Sequence, residues 1–236
     1  MSSDRRRRIL GQLTGGGLDA ARLGRVCASV TGMTGAGLML MSGDVHGGSV
    51  AATDEVSALI EDTQFALGEG PCIDAYRNDR AVLEPDLANP AVIRWVAFAP
   101  LVVAAGVRAI FGFPLQVGSV RLGALNLYCD HPGPLTDEQH ADALVMADIA
   151  AQALLIMQAN APPGLLAAEL EAGSNFQHVV HQASGMVAVQ LQVSLAQAMI
   201  RLRGYAFGNN RSLADVADNV VNRRLRFNHD LSDQQS

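Results

Sequence analysis

The chain has 236 residues, a formal charge of −6 and a mean hydropathy of +0.18. Its apolar runs read as too short or too charged to span a bilayer, and Cys27, Cys72 and Cys129 lie far apart without a CxxC spacing, which excludes a zinc framework. The absence of a Walker loop, a nucleophile elbow or a paired-carboxylate constellation argues against an enzyme.

In chain order, residues 1–17 read as a disordered leader. Its charge run Arg5-Arg6-Arg7-Arg8 is a solvated tail by default, with RNA or RNA polymerase as the alternative contact. The apolar flank is too short for a secretion signal, so the expected compartment is the cytoplasm with reduced thiols. Residues 18–158 have the size of one domain. A helix is predicted over 18–30, strands over 37–41 and 48–53, a turn-rich loop over 68–72 and a short helix over 73–77. A strand over 81–83, a loop over 86–90 and a helix over 95–105 follow, with Pro100 near a break. Two apolar segments, 109–117 and 120–128, joined by Gly118-Ser119 give a hairpin signal. A long helix over 136–158 closes the unit, and 159–175, with Pro162-Pro163-Gly164, is the connector. This order describes an α+β fold, an antiparallel sheet flanked by helices.

Residues 176–228 differ in charge. They hold six arginines (201, 203, 211, 223, 224, 226) against Asp215 and Asp218, a local net charge of +4. Such asymmetry points toward a polyanionic partner. All 17 basic residues of the chain are arginine, so the use of Arg over Lys is no mark of this segment. Phe176, Val179, Val180, Ala183, Val187 and Leu191 form one helical stripe, and Leu195, Ala198, Met199, Leu202, Tyr205 and Ala206 a second. Leu213, Val216, Ala217, Val220 and Val221 form a third. Ser194 with Gln197 is a capping box, and Ser212 with Asp215 opens the last helix. Three helices with one apolar face each bury those faces against one another or against a second subunit. Outside the first stripe lie His178, His181, Gln182, Gly185 and Gln192. A mid-helix glycine costs ~1 kcal/mol against alanine, and the close approach of another backbone would explain Gly185. Arg201 and Arg203 flank the second stripe on opposite sides. Arg223, Arg224 and Arg226 are placed in the last helical turn, where stabilisation of the helix dipole competes with a binding role. Residues 229–236 read as a disordered tail.

The run His181-Gln182-Ala183-Ser184-Gly185-Met186-Val187, then Leu202-Arg203-Gly204-Tyr205-Ala206, then Asn210-Arg211-Ser212-Leu213-Ala214-Asp215-Val216-Ala217, resembles an ANTAR domain. The resemblance implies a three-helix RNA-binding module acting in transcription antitermination through hairpin loops of nascent leader RNA. It implies Gln182, Ala183, Gly185, Met186, Arg201, Arg203, Tyr205 and Arg211 as RNA-facing residues. Ser184 stands where many members carry lysine, which weakens the phosphate contact expected there. Tyr205 and Phe207 are candidate stacking surfaces, Tyr205 being more in keeping with the core.

In the front unit, Gly68-Glu69-Gly70-Pro71-Cys72, Arg94-Trp95-Val96-Ala97-Phe98, Phe113-Pro114-Leu115 and Gly123-Ala124-Leu125-Asn126-Leu127-Tyr128 resemble a GAF domain, of the kind fused to ANTAR modules in actinobacteria. The resemblance implies a sensor of a small-molecule signal. The candidate ligand-lining residues are Met39, Met41, Cys72, Trp95, Phe111 and Phe113, with core packing as the plain alternative. Cys72, at a helix N-terminus, is a small buried residue or a redox thiol. Asp130, His131 and His140 form at best a weak metal pair, and no cofactor or metal is expected. The combined expectation is a homodimeric, cytoplasmic, signal-responsive antiterminator. The alternatives are a ligand or redox sensor acting through a protein partner, and a DNA-binding regulator.

Overall fold

The computed structural model describes residues 2–13, 19–42, 45–160, 175–209 and 211–228. The chain divides into two units, 1–166 and 167–236. The connector, including 161–174, and the tail after 228 lie outside the described residues.

In the first unit five strands form one antiparallel sheet, β1 (Gly35–Ser42), β2 (Val45–Ala52), β3 (Val82–Glu84), β4 (Ala109–Val117) and β5 (Val120–Cys129), in the order β2-β1-β5-β4-β3. The β4–β5 hairpin closes at Gly118, whose φ of +60° suits glycine. The alternation of strand side chains sorts the sheet into two faces. Ala36, Leu38, Phe111, Phe113, Leu115, Leu125 and Leu127 are fully buried on one face, under α2 (Ala20–Thr31) and α6 (Asp137–Asn160). The other face lies under α3 (Glu55–Leu67), α4 (Pro71–Asn78) and α5 (Phe98–Ala104).

Local chemistry sets most helix ends. Asp19 caps α2 by accepting from the Arg22 N–H at 2.6 Å, and Asp54 caps α3 by accepting from Ser57 at 2.7 Å. Thr136 and Gln139 exchange side-chain and backbone bonds at the start of α6. Pro100 occupies the first turn of α5, where its missing N–H costs no helical bond, and not a break as the sequence suggested. The same helix begins at Phe98, three residues later than expected.

Three further corrections follow. Residues 2–13, expected to be part of a disordered leader, form α1 (Ser2–Leu13). Ile9 and Leu13 are buried, four residues apart on one helical face. The arginines are not free either: Arg5 and Arg8 reach Asp142 at 2.6 and 2.7 Å, and Arg6 pairs with Asp148 and Gln152. Residues 54–67, to which the sequence reading assigns no element, form α3. Third, 137–157 is long and apolar enough to cross a membrane, with a mean hydropathy of 1.4 over its most apolar window. Half of that segment is buried in the unit, where Ala143, Met146, Ala150 and Leu154 turn inward as a core helix requires.

The second unit consists of α7 (Asn175–Leu191), α8 (Leu195–Gly208) and α9 (Leu213–Val221). The axes of α7 and α8 turn by 104° across residues 192–194, with Gln192 at φ 54°. Ser194 and Gln197 form the expected capping box, and Ser212 accepts from the Asp215 N–H at 3.0 Å. Val180, Ala183, Val187, Leu191, Ala198, Met199, Leu202, Ala206, Leu213, Val216, Ala217 and Val220 fill the core. The stripes read from sequence hold, except that Leu195 is half exposed and the Phe176 side chain lies outside the described residues.

Candidate nucleic-acid interface and sensor core

In the second unit, the helical stripes leave a defined outer surface. Gln182 is exposed and Gly185 and Met186 half-buried on the side of α7 opposite its core stripe, together with His178 and Val189. Arg201 is exposed and Arg203 half-buried on α8, and Arg211 is exposed ahead of α9. Ala183 does not join them. It is fully buried in the bundle, because the 3.6-residue repeat carries it onto the Val180–Val187 stripe. Ser184 is also buried, 3% exposed, and its hydroxyl donates to the His181 carbonyl at 2.8 Å.

Tyr205 turns toward the C-terminal segment. Its ring meets Phe227 at 5.3 Å, inclined by 63°, while Phe207 stands 81% exposed. The three late arginines also move from their expected place. α9 ends at Val221, Arg223 adopts φ 59°, and the Arg224 and Leu225 N–H groups donate to the Asn219 carbonyl. Arg223, Arg224 and Arg226 therefore lie past the helix, on a segment that returns to bury Phe227, whose N–H donates to Gln190 Oε1 at 2.8 Å. Among the charged groups, 175–214 contains Arg201, Arg203 and Arg211 and no aspartate or glutamate. α7 and α8 themselves thus carry basic charge only, suited to phosphate, while Asp215 and Asp218 lie on the neighbouring α9.

In the first unit, the six residues expected around a ligand do not converge. Met39, Met41 and Cys72 share a cluster with Ile73, Tyr76 and Ala124. Trp95 belongs to a separate cluster with Ile60, Phe98, Val102 and Tyr128. Phe111 and Phe113 point to the opposite sheet face, Phe113 against His140 of α6 at 5.8 Å. A groove of about 380 Å³ at the β4 edge is lined by Phe113 alone of the six, beside Asp79, Arg80, Leu144 and Asp148. Among the described residues no group of histidine, cysteine and carboxylate side chains is placed to hold a metal. His131 pairs with Asp130 at 2.9 Å on an exposed loop, far in role from His140.

The motif Gly68-Glu69-Gly70-Pro71-Cys72 is a hub of hydrogen bonds. Gly68 closes α3 at φ 69°, and Pro71 opens α4. Glu69 Oε2 accepts from the Ala97 and Phe98 N–H groups at 3.1 and 3.2 Å, which caps α5. Gln64 Oε1 accepts from the Cys72 N–H at 2.8 Å. Trp95 Nε1 donates to Asp74 Oδ2 at 2.8 Å, with the Arg94 guanidinium 4.6 Å over its ring. Burial first, and then Glu61, raise the Cys72 thiol well above its ordinary value, against any help from the helix N-terminus, and so disfavour the reactive thiolate.

The buried group that sequence reasoning missed is Glu61. Fully buried on α3, its carboxyl occupies the space above Gly37 of β1, where a Cβ would fall on top of Oε1. Neither Glu61 oxygen, neither amide atom of the facing Asn126, nor Gln64 Nε2 makes a hydrogen bond of normal length and angle. Burial, aided by Asp62, raises the Glu61 pKa to about 8, with Asn126 working in the opposite direction. At neutral pH the side chain is a neutral acid, since burying its charge unpaired would cost more than protonating it. Its sequence signal is faint: Glu61 stands next to Asp62, and nothing local marks one of the two acids as buried.

Family comparison agrees with this architecture. Residues 21–155 match the GAF domain model and residues 168–221 match the ANTAR domain model. The first match spans more than half of the sequence, and the chain belongs to the GAF domain family, with an ANTAR domain following. GAF domains are sensor modules and ANTAR domains RNA-binding antitermination modules, so the chain is built as a regulator. No curated protein matches the sequence. Among solved structures, the GAF domain from a phosphoenolpyruvate-protein phosphotransferase of Coxiella burnetii is 16% identical. That likeness covers 67% of this chain and 95% of that one, with a TM-score of 0.50. The corresponding Acinetobacter GAF domain is 11% identical over 67% and 96% of the two chains, with a TM-score of 0.49. At such identity the first likeness shows the fold alone.

Proposed function

We propose that the protein is a signal-responsive RNA-binding regulator that promotes transcription antitermination by gripping hairpin loops in a nascent leader transcript. The observation that carries this reading is the surface of α7 and α8. Gln182, Gly185, Met186, Arg201, Arg203 and Arg211 stand on a unit matching the ANTAR model, and 175–214 is free of carboxylates. Arginine binds phosphate bidentately and stacks on splayed bases, which suits single-stranded loops. The GAF domain takes the small-molecule signal, the protein acts in the cytoplasm as a homodimer of the actinobacterial type, and RNA polymerase is the neighbouring machinery. Two linked RNA sites raise avidity without new contacts.

The test is binding of the full chain to a pool of transcribed leader RNAs over a salt series, with duplex DNA as competitor. Enrichment of tandem hairpin loops, with affinity falling steeply as salt rises, is the expected result. Arg203→Ala and Gly185→Leu should weaken binding with the helical content unchanged. Equal affinity for duplex DNA, or no RNA retained at low salt, would refute the reading.

A further inference from the structure

The outward side of α8 is not accounted for by packing within its unit. Ile200 is 65% and Phe207 81% exposed, and their seven-residue spacing puts them on one helix face. Gly204 lies between them, and a Cβ there would meet nothing within 4 Å. The helix backbone is thus bare at that point, although glycine lowers helix propensity and no neighbour inside the unit requires it. Arg201 and Arg203 border this strip on its two sides. The Arg211 backbone is fixed at the end of α8, where its N–H donates to the Ala206 carbonyl at 2.9 Å, and its guanidinium donates to the Asp215 carbonyl of α9 at 3.4 Å. Tyr205, the other aromatic of the segment, is turned away against Phe227.

We propose that this strip is a nucleobase platform. One unpaired base of an RNA loop stacks on Phe207, its sugar-phosphate passes over the bare backbone at Gly204, and Arg201 and Arg211 take the flanking phosphates. The platform deepens the RNA-binding reading and rests on it. The charge argues for RNA over a protein partner: an exposed apolar ring framed by arginines, without a carboxylate from 175 to 214, fits a flat aromatic base on an anionic chain. The platform also selects, because only a splayed base offers a face to the ring, whereas a paired one is already stacked.

The experiment uses the full chain and a pool of RNA hairpins with one stem and randomised loops carrying 4-thiouridine. Irradiation followed by peptide mapping should place a cross-link at Phe207. Phe207→Ala should weaken binding to the pool by roughly 5- to 150-fold, the range for one lost base stack. Phe207→Tyr should restore it. The salt dependence should keep its slope in Phe207→Ala, since no phosphate contact is removed. If the wild-type chain binds the pool but Phe207→Ala binds as tightly and no cross-link maps to α8, the platform is overturned and the RNA-binding reading stands. If Phe207→Ala instead lowers the oligomeric mass with RNA affinity intact, the strip is a protein contact, which also overturns it. Failure of the wild-type chain to bind any hairpin overturns the RNA-binding reading itself, and the platform with it.

Discussion

The Phe227 ring packs edge-on against Tyr205 with centroids 5.3 Å apart, and through this pair the segment beyond α9 closes the three-helix unit. Phe227 is only 5% exposed and its N–H is tied to Gln190 of α7. Its ring therefore completes the core that α7, α8 and α9 share. Phe227→Ala should cost about 3 kcal/mol, in the range for truncating a buried phenylalanine. Tyr205→Phe keeps the ring pair and should stay within about 0.5 kcal/mol of wild type. Urea unfolding of the two variants, followed by helical circular dichroism, checks both. A Phe227→Ala protein as stable as wild type would mean that the segment is not docked in solution.

Glu61 makes the stability of the GAF unit depend on pH. Its folded pKa of about 8 lies above the ordinary value of 4.5, so the native state binds the proton more tightly than the unfolded chain. The resulting contribution is fully present below pH 4.5 and is lost as pH rises toward about 8. Glu61→Gln keeps the shape and removes the titration. Urea midpoints at a series of pH values should converge below about pH 4.5, separate progressively as pH rises toward about 8 and hold a constant gap above it, the variant being the more stable at high pH. Parallel curves would show a carboxylate already ionised in the fold.

Asp142 is 3% exposed and receives both Arg5 and Arg8 from α1. Removing its carboxylate leaves two guanidinium groups without their buried partner. Since Arg8 is half exposed, the loss is about 1–3 kcal/mol and not the full cost of a buried pair. Asp142→Ala should abolish amide hydrogen-exchange protection over 2–13 while leaving β5 protected. Retained protection would mean that Ile9 and Leu13 alone anchor the helix.

Cys27, Cys72 and Cys129 are all buried and free. Burial raises the Cys27 thiol to about 12 and raises Cys72 and Cys129 as well. Thiolate, the reactive form, is therefore scarce at neutral pH. Native protein should show no fast reaction with a disulfide reagent at pH 7.5, and three thiols should appear on unfolding. Rapid modification of Cys72 in the native state would revive the redox role.

The elements legible in the sequence are those whose signal is local. Ser194-Gln197 and Ser212-Asp215 cap helices through groups within four residues, and the Gly118-Ser119 turn announces the β4–β5 hairpin. The stripes of α7, α8 and α9 repeat at the helical period because each has one buried side. α3 escaped this reading although Asp54 and Gly68 mark its ends. Glu61, Thr63 and Gln64 are buried there, and polar residues turned inward erase the apolar period. α1 was hidden for a related reason: four consecutive arginines read as a solvated run until Asp142 and Asp148, more than 130 positions away, supply their partners.

The chain by itself determined the two-unit organisation, the antiparallel hairpin, the three helical stripes with two of their caps, and the basic character of the second unit. These follow from composition, periodicity and short-range hydrogen bonding, all of which act along the sequence. Tertiary structure alone decided that Tyr205 is taken up by Phe227 while Phe207 stays exposed. It also decided that Met39, Trp95 and Phe113 belong to three different environments of one sheet. Each of those outcomes depends on which face an element turns to a distant neighbour, and burial against that neighbour is a long-range free energy that no local pattern encodes.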